Sequence, residues 1–308
     1  MFLPLLREIR VEKSSDRPKN RFAVPLEFWG SFHYYWPMEP DLRLVPLASI
    51  ELQEEPETKR LERLIAGIRQ SRIVRDPPIV TSGIGKKLMQ LDGTTRISAL
   101  RRLGCSHAVV QYVDYNDSSQ VLIKSWVHVS KVNKSDFVEG IQKIPKVKTE
   151  SFQLGLGLTL TGHPLATVTI IFNSGKGLSI LGDSDLVQKV LMMKKVVSLY
   201  ESLIERDREV TIEGMQHLAG FFEKHPEKNV ALFFPAFAAQ EIYSLLKKGI
   251  VLPAGITRHI INGRVLGINY PIKMLGEDVA DEEKQKFFAD FLKTIQLRYY
   301  EESTFMVE

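Results

Sequence analysis

The stretch from Leu88 to Tyr115 constrains the fold more than any other. An apolar run, Leu88-Met-Gln-Leu91, enters Asp92-Gly93, and a helix opens at Thr94-Thr95-Arg96. Ile97, Leu100 and Leu103 recur at helical spacing and give that helix one apolar face. Gly104 stands where a helix C-terminus needs a residue free to take positive φ. Residues 107–115 then read as the next strand. The pattern sets free backbone N–H groups and the positive end of a helix dipole against a glycine turn, an arrangement that receives a phosphate. Arg96 adds a guanidinium able to grip two phosphate oxygens. Asp92 supplies a carboxylate for a magnesium ion or a proton.

With 308 residues the chain can bury a substantial core, in two domains or one large one. A formal charge of +4 suits an anionic small substrate and argues against a nucleic-acid groove, which would concentrate its cations in a stripe. One cysteine, Cys105, excludes an internal disulfide and a multi-cysteine zinc site. A reducing cytoplasm is the expected compartment. The opening residues Met1-Phe-Leu-Pro-Leu-Leu-Arg7 are too short an apolar run for a signal segment, and no run approaches the roughly 20 residues of a membrane span.

Residues 1–41 read as an aromatic-rich extension carrying Phe28-Trp29 and Phe32-His-Tyr34-Tyr35-Trp36. Its aromatics suit packing on the body of the protein or on a second subunit; the alternative is a lid over a ligand. A first domain is expected over 42–147: strand 42–50, helix 57–71 with Leu61, Leu64, Ile65 and Ile68 as its buried stripe, a hairpin around Gly83–Lys87, the Asp92 unit, an extended run 121–129 and a helix 135–144. The Gly83–Lys87 loop lacks the spacing and the Ser/Thr of a Walker loop. A second domain is expected over 148–308: alternating apolar and glycine residues at 154–160, strands at 166–172 and 178–181, helices at 187–204 and 213–224, a strand at 230–234, and helices at 238–248 and 281–295. Asn262-Gly263 signals a hairpin between 258–261 and 264–266. The fold class expected is α+β.

The Asp92-Gly-Thr-Thr-Arg96 turn resembles the signature of the ParB/sulfiredoxin superfamily. Two further segments, Leu42-Arg-Leu-Val-Pro-Leu-Ala-Ser-Ile-Glu-Leu-Gln-Glu54 and Gly249-Ile-Val-Leu-Pro-Ala-Gly-Ile-Thr-Arg-His259, make the chain similar to the free L-serine kinases of that superfamily. These include an archaeal ADP-dependent enzyme and an ATP-dependent enzyme of a siderophore cluster. The similarity runs from about Leu42 to the C-terminus and is patchy in the middle. It implies a ParB/sulfiredoxin-like nucleotide-binding domain with a second, mixed α/β domain. It also implies transfer of a phosphoryl group from ATP or ADP to free L-serine, with magnesium.

The resemblance also implies roles. Glu54 would be the base on the serine hydroxyl, with Glu55 in that place if the register moved by one. Read from the residues alone, Glu54, Glu55 and Glu57 are an acidic cluster at a helix start. Asp92 would position magnesium or the transferred phosphate, and Gly93, Thr94, Thr95 and Arg96 would cradle the nucleotide phosphates. Trp126, Thr257, Arg258 and His259 would form the amino-acid site. The residue-level alternatives are a core aromatic for Trp126 and a strand with exposed charges for the other three. His128 and Cys105 read as structural. The relatives carry histidine before the motif arginine where this chain has Thr95, whose hydroxyl can bond a phosphate oxygen but adds no charge. The rival reading is a ParB-like nucleotide module acting in DNA partition or regulation, which needs a helix-turn-helix that residues 148–181 do not suggest. A catalytically silent ligand sensor is the third. The expected partners are free L-serine and a purine nucleotide, with no nucleic acid and no membrane.

Overall fold

The computed structural model describes residues 39–153, 166–182, 185–200, 203, 205–207 and 218–298. The expected aromatic extension, the alternating segment 154–160 and the first part of the expected helix 213–224 lie outside these residues.

The chain opens with β1 (Asp41–Pro46) and β2 (Ile50–Glu51), joined by one short helical turn, and continues into α1 (Thr58–Ser71). Leu61, Ile65 and Ile68 are buried on α1, as their spacing requires. Then follow β3 (Ile73–Val74), β4 (Ile79–Ser82), β5 (Leu88–Asp92), α2 (Thr94–Arg102) and β6 (His107–Tyr112). Apart from β3, these strands form a five-stranded sheet ordered β1-β6-β4-β5-β2. β4 and β5 are antiparallel around the Gly83–Lys87 loop, while β2 runs parallel to β5 and β4 parallel to β6. Ile97 and Leu100 of α2 are fully buried against Val80, Val109 and Tyr270. Gly93 at the α2 N-terminus has φ 90, and Gly104 beyond its end has φ 72.

The expected strand 121–129 is two strands, β7 (Val121–Ser125) and β8 (Val127–Ser130). They part at Trp126, whose N–H leaves for the Ile256 carbonyl at 3.1 Å. After α3 (Lys134–Gln142), capped by Asn133, come β9 (Lys148–Gln153), β10 (Ala166–Phe172), β11 (Lys176–Leu181) and α4 (Leu186–Ser198). The helix expected to reach residue 204 stops at Ser198. The N–H groups of Leu199 and Tyr200 turn to carbonyls three residues back, and the Tyr200 ring is drawn into the core. β12 (Glu205–Asp207), α5 (Leu218–Lys224), β13 (Val230–Phe233) and α6 (Ala239–Lys247) follow. The second sheet is six-stranded, ordered β12-β8-β13-β10-β11-β9, and antiparallel throughout. Its core joins Ile170, Ile180, Val190 and Leu232 to Met89, Leu91 and Ile141. Residues 148–153 and 166–181 are strands and turns, with no helix-turn-helix among them.

Asn262-Gly263 does turn the chain, with Gly263 at φ 66, but it does not close a hairpin. β14 (Thr257–Ile261) pairs with β7 instead, and 264–266 form no strand. The chain ends its described course with β15 (Tyr270–Pro271), paired to β3, and α7 (Asp281–Thr294), whose Phe287, Phe288 and Phe291 surround Tyr270. No helix among the described residues is long and apolar enough to cross a membrane.

Candidate active site

β14 brings together residues that lie far apart in sequence. Its first residue, Thr257, donates its hydroxyl to Glu54 Oε2 at 2.9 Å. The Gly255 N–H, just before the strand, donates to Glu54 Oε1. Glu54 is buried, and its backbone bridges to Leu252. Gln53 Nε2 donates to Thr257 Oγ1 at 2.9 Å, completing a polar cluster. Glu55 points the other way and pairs with Lys194 on α4. The acidic run at the helix start is therefore divided: Glu54 faces inward, and Glu55 is a surface charge.

Arg258, next along β14, lies over the Trp126 ring, 4.5 Å from its centroid. Stacking on an indole face orients a guanidinium. His259 turns inward. Its Nε2 meets the Tyr115 hydroxyl at 2.8 Å. Burial drives its pKa down to about 4, against the opposing pull of Asp92, so the ring is neutral near pH 7. The structure thus sets Arg258 at the surface of the site and His259 behind it.

The second cluster forms at the N-terminus of α2. Asp92 Oδ2 accepts from Arg96 at 2.8 Å and from Arg264 at 2.6 Å. Burial alone would raise the Asp92 pKa. The charges of Arg96 and Arg264 outweigh it and hold the carboxyl at about 2. Burial lowers the pKa of Arg96, but a guanidinium stays charged in proteins. Arg96 also feels Asp76 and Arg60. Three guanidiniums therefore face two carboxylates, and the net charge beside the open helix terminus is positive, which favours a bound anion. At Gly93 an added Cβ would sit 2.9 Å from the Arg96 guanidinium and 3.0 Å from Pro78 Cα. Thr94 is buried, while Thr95 and Arg96 are partly exposed on the first turn.

Two strands connect the clusters. Gln90 of β5, two residues before Asp92, faces the Gln53 backbone N–H at 3.4 Å. Arg264 reaches back to the His259 carbonyl at 3.5 Å. Arg264 is a residue that sequence reasoning missed. Its partner is 172 positions away, and the only local signal was the Asn-Gly turn that redirects the chain. Among the described residues no group of three or more His, Cys, Asp or Glu side chains is placed to hold a metal ion. Asp92 could hold magnesium here, since that ion is commonly bound by one or two carboxylates together with phosphate oxygens and water.

No family model matches the chain. It is 28% identical to the ATP-dependent L-serine kinase SbnI of Staphylococcus aureus over 272 residues, 87% of this chain and 97% of that kinase. The structure is similar to that of SbnI with a C-terminal truncation, with TM-score 0.60 and 25% identity, covering 82% of this chain and 95% of the other. It is also similar to a free serine kinase in complex with AMP, with TM-score 0.60 and 20% identity, covering 76% of this chain and 93% of the other. The chain is a homologue of SbnI, and its mixed α/β fold is that of the free serine kinases.

Proposed function

We propose that this protein is a free L-serine kinase. It transfers a phosphoryl group from ATP or ADP to the serine hydroxyl and releases O-phospho-L-serine, with ATP favoured because its sequence relative is named an ATP-dependent kinase. The observation that carries the reading is β14 itself. One short strand meets the buried carboxylate of Glu54 at one residue and presents an arginine stacked on Trp126 at the next, and the turn after it delivers Arg264 to Asp92.

In this reading Glu54 accepts the hydroxyl proton as the serine oxygen attacks phosphorus. The bond to the leaving phosphate breaks, and the proton passes on to solvent. Glu54 Oε1 accepts from the Gly255 N–H and Oε2 from the Thr257 hydroxyl, so both oxygens are held in place. Arg258 grips the serine carboxylate, steadied by Trp126, with Thr257 beside it. His259 backs the strand and touches Tyr115 rather than the ligand. The N–H groups of Gly93 to Arg96, with the Arg96 and Arg264 guanidiniums, hold the phosphates. Magnesium, when bound, would neutralise phosphate charge, and Asp92 is the residue that would hold it. A kinase of free serine works where nucleotide is kept, and we place it in the cytoplasm.

Steady-state kinetics across L-serine, D-serine, L-threonine and L-homoserine, with ATP and ADP in turn, tests the reading. L-serine should be the preferred acceptor, and Glu54→Gln should lower turnover at least about a hundredfold, roughly the contribution of a general base, while nucleotide affinity holds. Nucleotide turnover that ignores the acceptor would overturn it.

A further inference from the structure

His128 lies two residues beyond Trp126 on β8 and is fully buried. Its ring stands between two polar groups. The Tyr200 hydroxyl is 2.8 Å from Nδ1, and the Gly255 carbonyl is 2.7 Å from Nε2. A carbonyl can only accept, so Nε2 carries a proton and donates it to Gly255. Burial pushes the Tyr200 pKa well above its usual value, so the phenol keeps its proton and can donate it to Nδ1 of the neutral ring. Gly255 has φ 74, in the left-handed region, and its own N–H donates to Glu54 Oε1. One line of hydrogen bonds therefore runs from Tyr200 through His128 and Gly255 to Glu54.

We infer that His128 and Tyr200 are positioning residues for Glu54, acting through the Gly255 backbone. The inference rests on the reading of Glu54 as the base. The apolar core around His128, including Phe234 with ring centroids 5.0 Å apart, needs no imidazole for its own packing. The imidazole is needed to satisfy the Gly255 carbonyl, which would otherwise be a buried acceptor without this partner. Holding that carbonyl holds the left-handed turn, and the turn aims the N–H that fixes one oxygen of Glu54. The other oxygen is fixed by Thr257, two residues further on. A proton acceptor held at both oxygens stays aligned with the hydroxyl it must deprotonate, and a misplacement of about 1 Å can cost on the order of a hundredfold in rate. β8 thus serves the site from behind while Trp126, at its start, serves it from the front.

The test is a double-mutant cycle together with a pair of His128 variants, all in the full-length protein, with turnover read by transfer of labelled phosphoryl to L-serine. Tyr200→Phe removes one oxygen atom and keeps the ring in the core. It should lower kcat about tenfold while KM for nucleotide stays within about twofold, well inside the cost of misplacing a catalytic group. His128→Gln, whose amide can still donate toward Gly255, should retain much more kcat than His128→Leu. In a Glu54→Gln background Tyr200→Phe should cost nothing further, because residues acting as one unit are non-additive. The same fractional loss in that background would show a general structural role and overturn the inference. So would an unchanged kcat for Tyr200→Phe in a protein that Glu54→Gln inactivates. If Glu54→Gln keeps its turnover, the base assignment falls first and the inference falls with it.

Discussion

In the proposed reading single residues divide the site into a part that binds the acceptor and a part that binds the donor, and each can be removed separately. Arg258→Ala should weaken serine binding far more than nucleotide binding in calorimetry, because losing one member of a desolvated charged pair costs roughly 2–5 kcal/mol. Equal losses for both ligands would assign Arg258 to phosphate. Arg96→Ala should abolish nucleotide binding. Thr95→Ala should weaken it only slightly, since a neutral hydroxyl bond is worth on the order of 1 kcal/mol. Arg264 is expected on the donor side as well. Arg264→Ala should weaken nucleotide binding and leave serine binding in place. It should also let the Asp92 carboxyl titrate above its present value of about 2, because one of the two charges that hold it down is gone. A carbon NMR titration reads that shift, and an unchanged Asp92 would mean that Arg96 alone sets its charge.

At the level of elements, the N-terminus of α2 and the strand β14 carry the candidate site, and they differ in how visible they were beforehand. The α2 start was legible because every signal is local: Asp92-Gly93, the following threonines, Arg96, and the helical spacing of Ile97 and Leu100. The structure supplies the positive φ at Gly93 and the close approach of Arg96 to it. Gly93→Ala should therefore cost on the order of 1–3 kcal/mol in stability from backbone strain, and nucleotide affinity as well. Gly104→Ala is the control. It shares a positive φ, but an added Cβ there meets nothing within 4 Å, so it should touch stability alone. Equal nucleotide affinity in both variants would show that the Gly93 turn does not shape the phosphate site. β14 was legible only in part. Its Thr-Arg-His run was found by resemblance. Its partner β7 and the inward turn of His259 depend on pairing across the chain, and strand partners are not written in local pattern. The break at Trp126 and the early end of α4 were hidden for the same reason. At Trp126 a hydrogen bond to the distant Ile256 carbonyl overrides a continuous apolar pattern, and at the end of α4 the last turn tightens as the Tyr200 ring packs into the core.

At the scale of the whole molecule, charge burial ties stability to pH. His259, held near pKa 4 by burial, binds its proton more readily in the unfolded chain, where its pKa is about 6.5. Between those values the unfolded state holds more protons, so stability rises with pH across the window and is lost as pH falls from about 6.5 to 4. The buried ring accounts for about 3 kcal/mol of that loss, and His107, lowered by burial and by Lys284, adds in the same direction. Urea denaturation at pH 4.5 and 7 should show the drop, and His259→Gln should shrink it. An undiminished drop in that variant would place its origin elsewhere. Asp92 works at lower pH: its stabilising contribution is present above its unfolded value of about 3.9 and is lost as pH falls through about 2. The site should therefore keep its charge pattern throughout the range in which a nucleotide enzyme operates. The central claim is that this assembly moves a phosphoryl group onto free L-serine, and phosphorus NMR tests it directly. With L-serine, magnesium and ATP or ADP, the wild-type protein should build a serine-dependent phosphomonoester signal matching O-phospho-L-serine, one for each nucleotide consumed. Glu54→Gln should build almost none. Nucleotide left intact, or broken down to inorganic phosphate whether or not serine is present, would contradict the account.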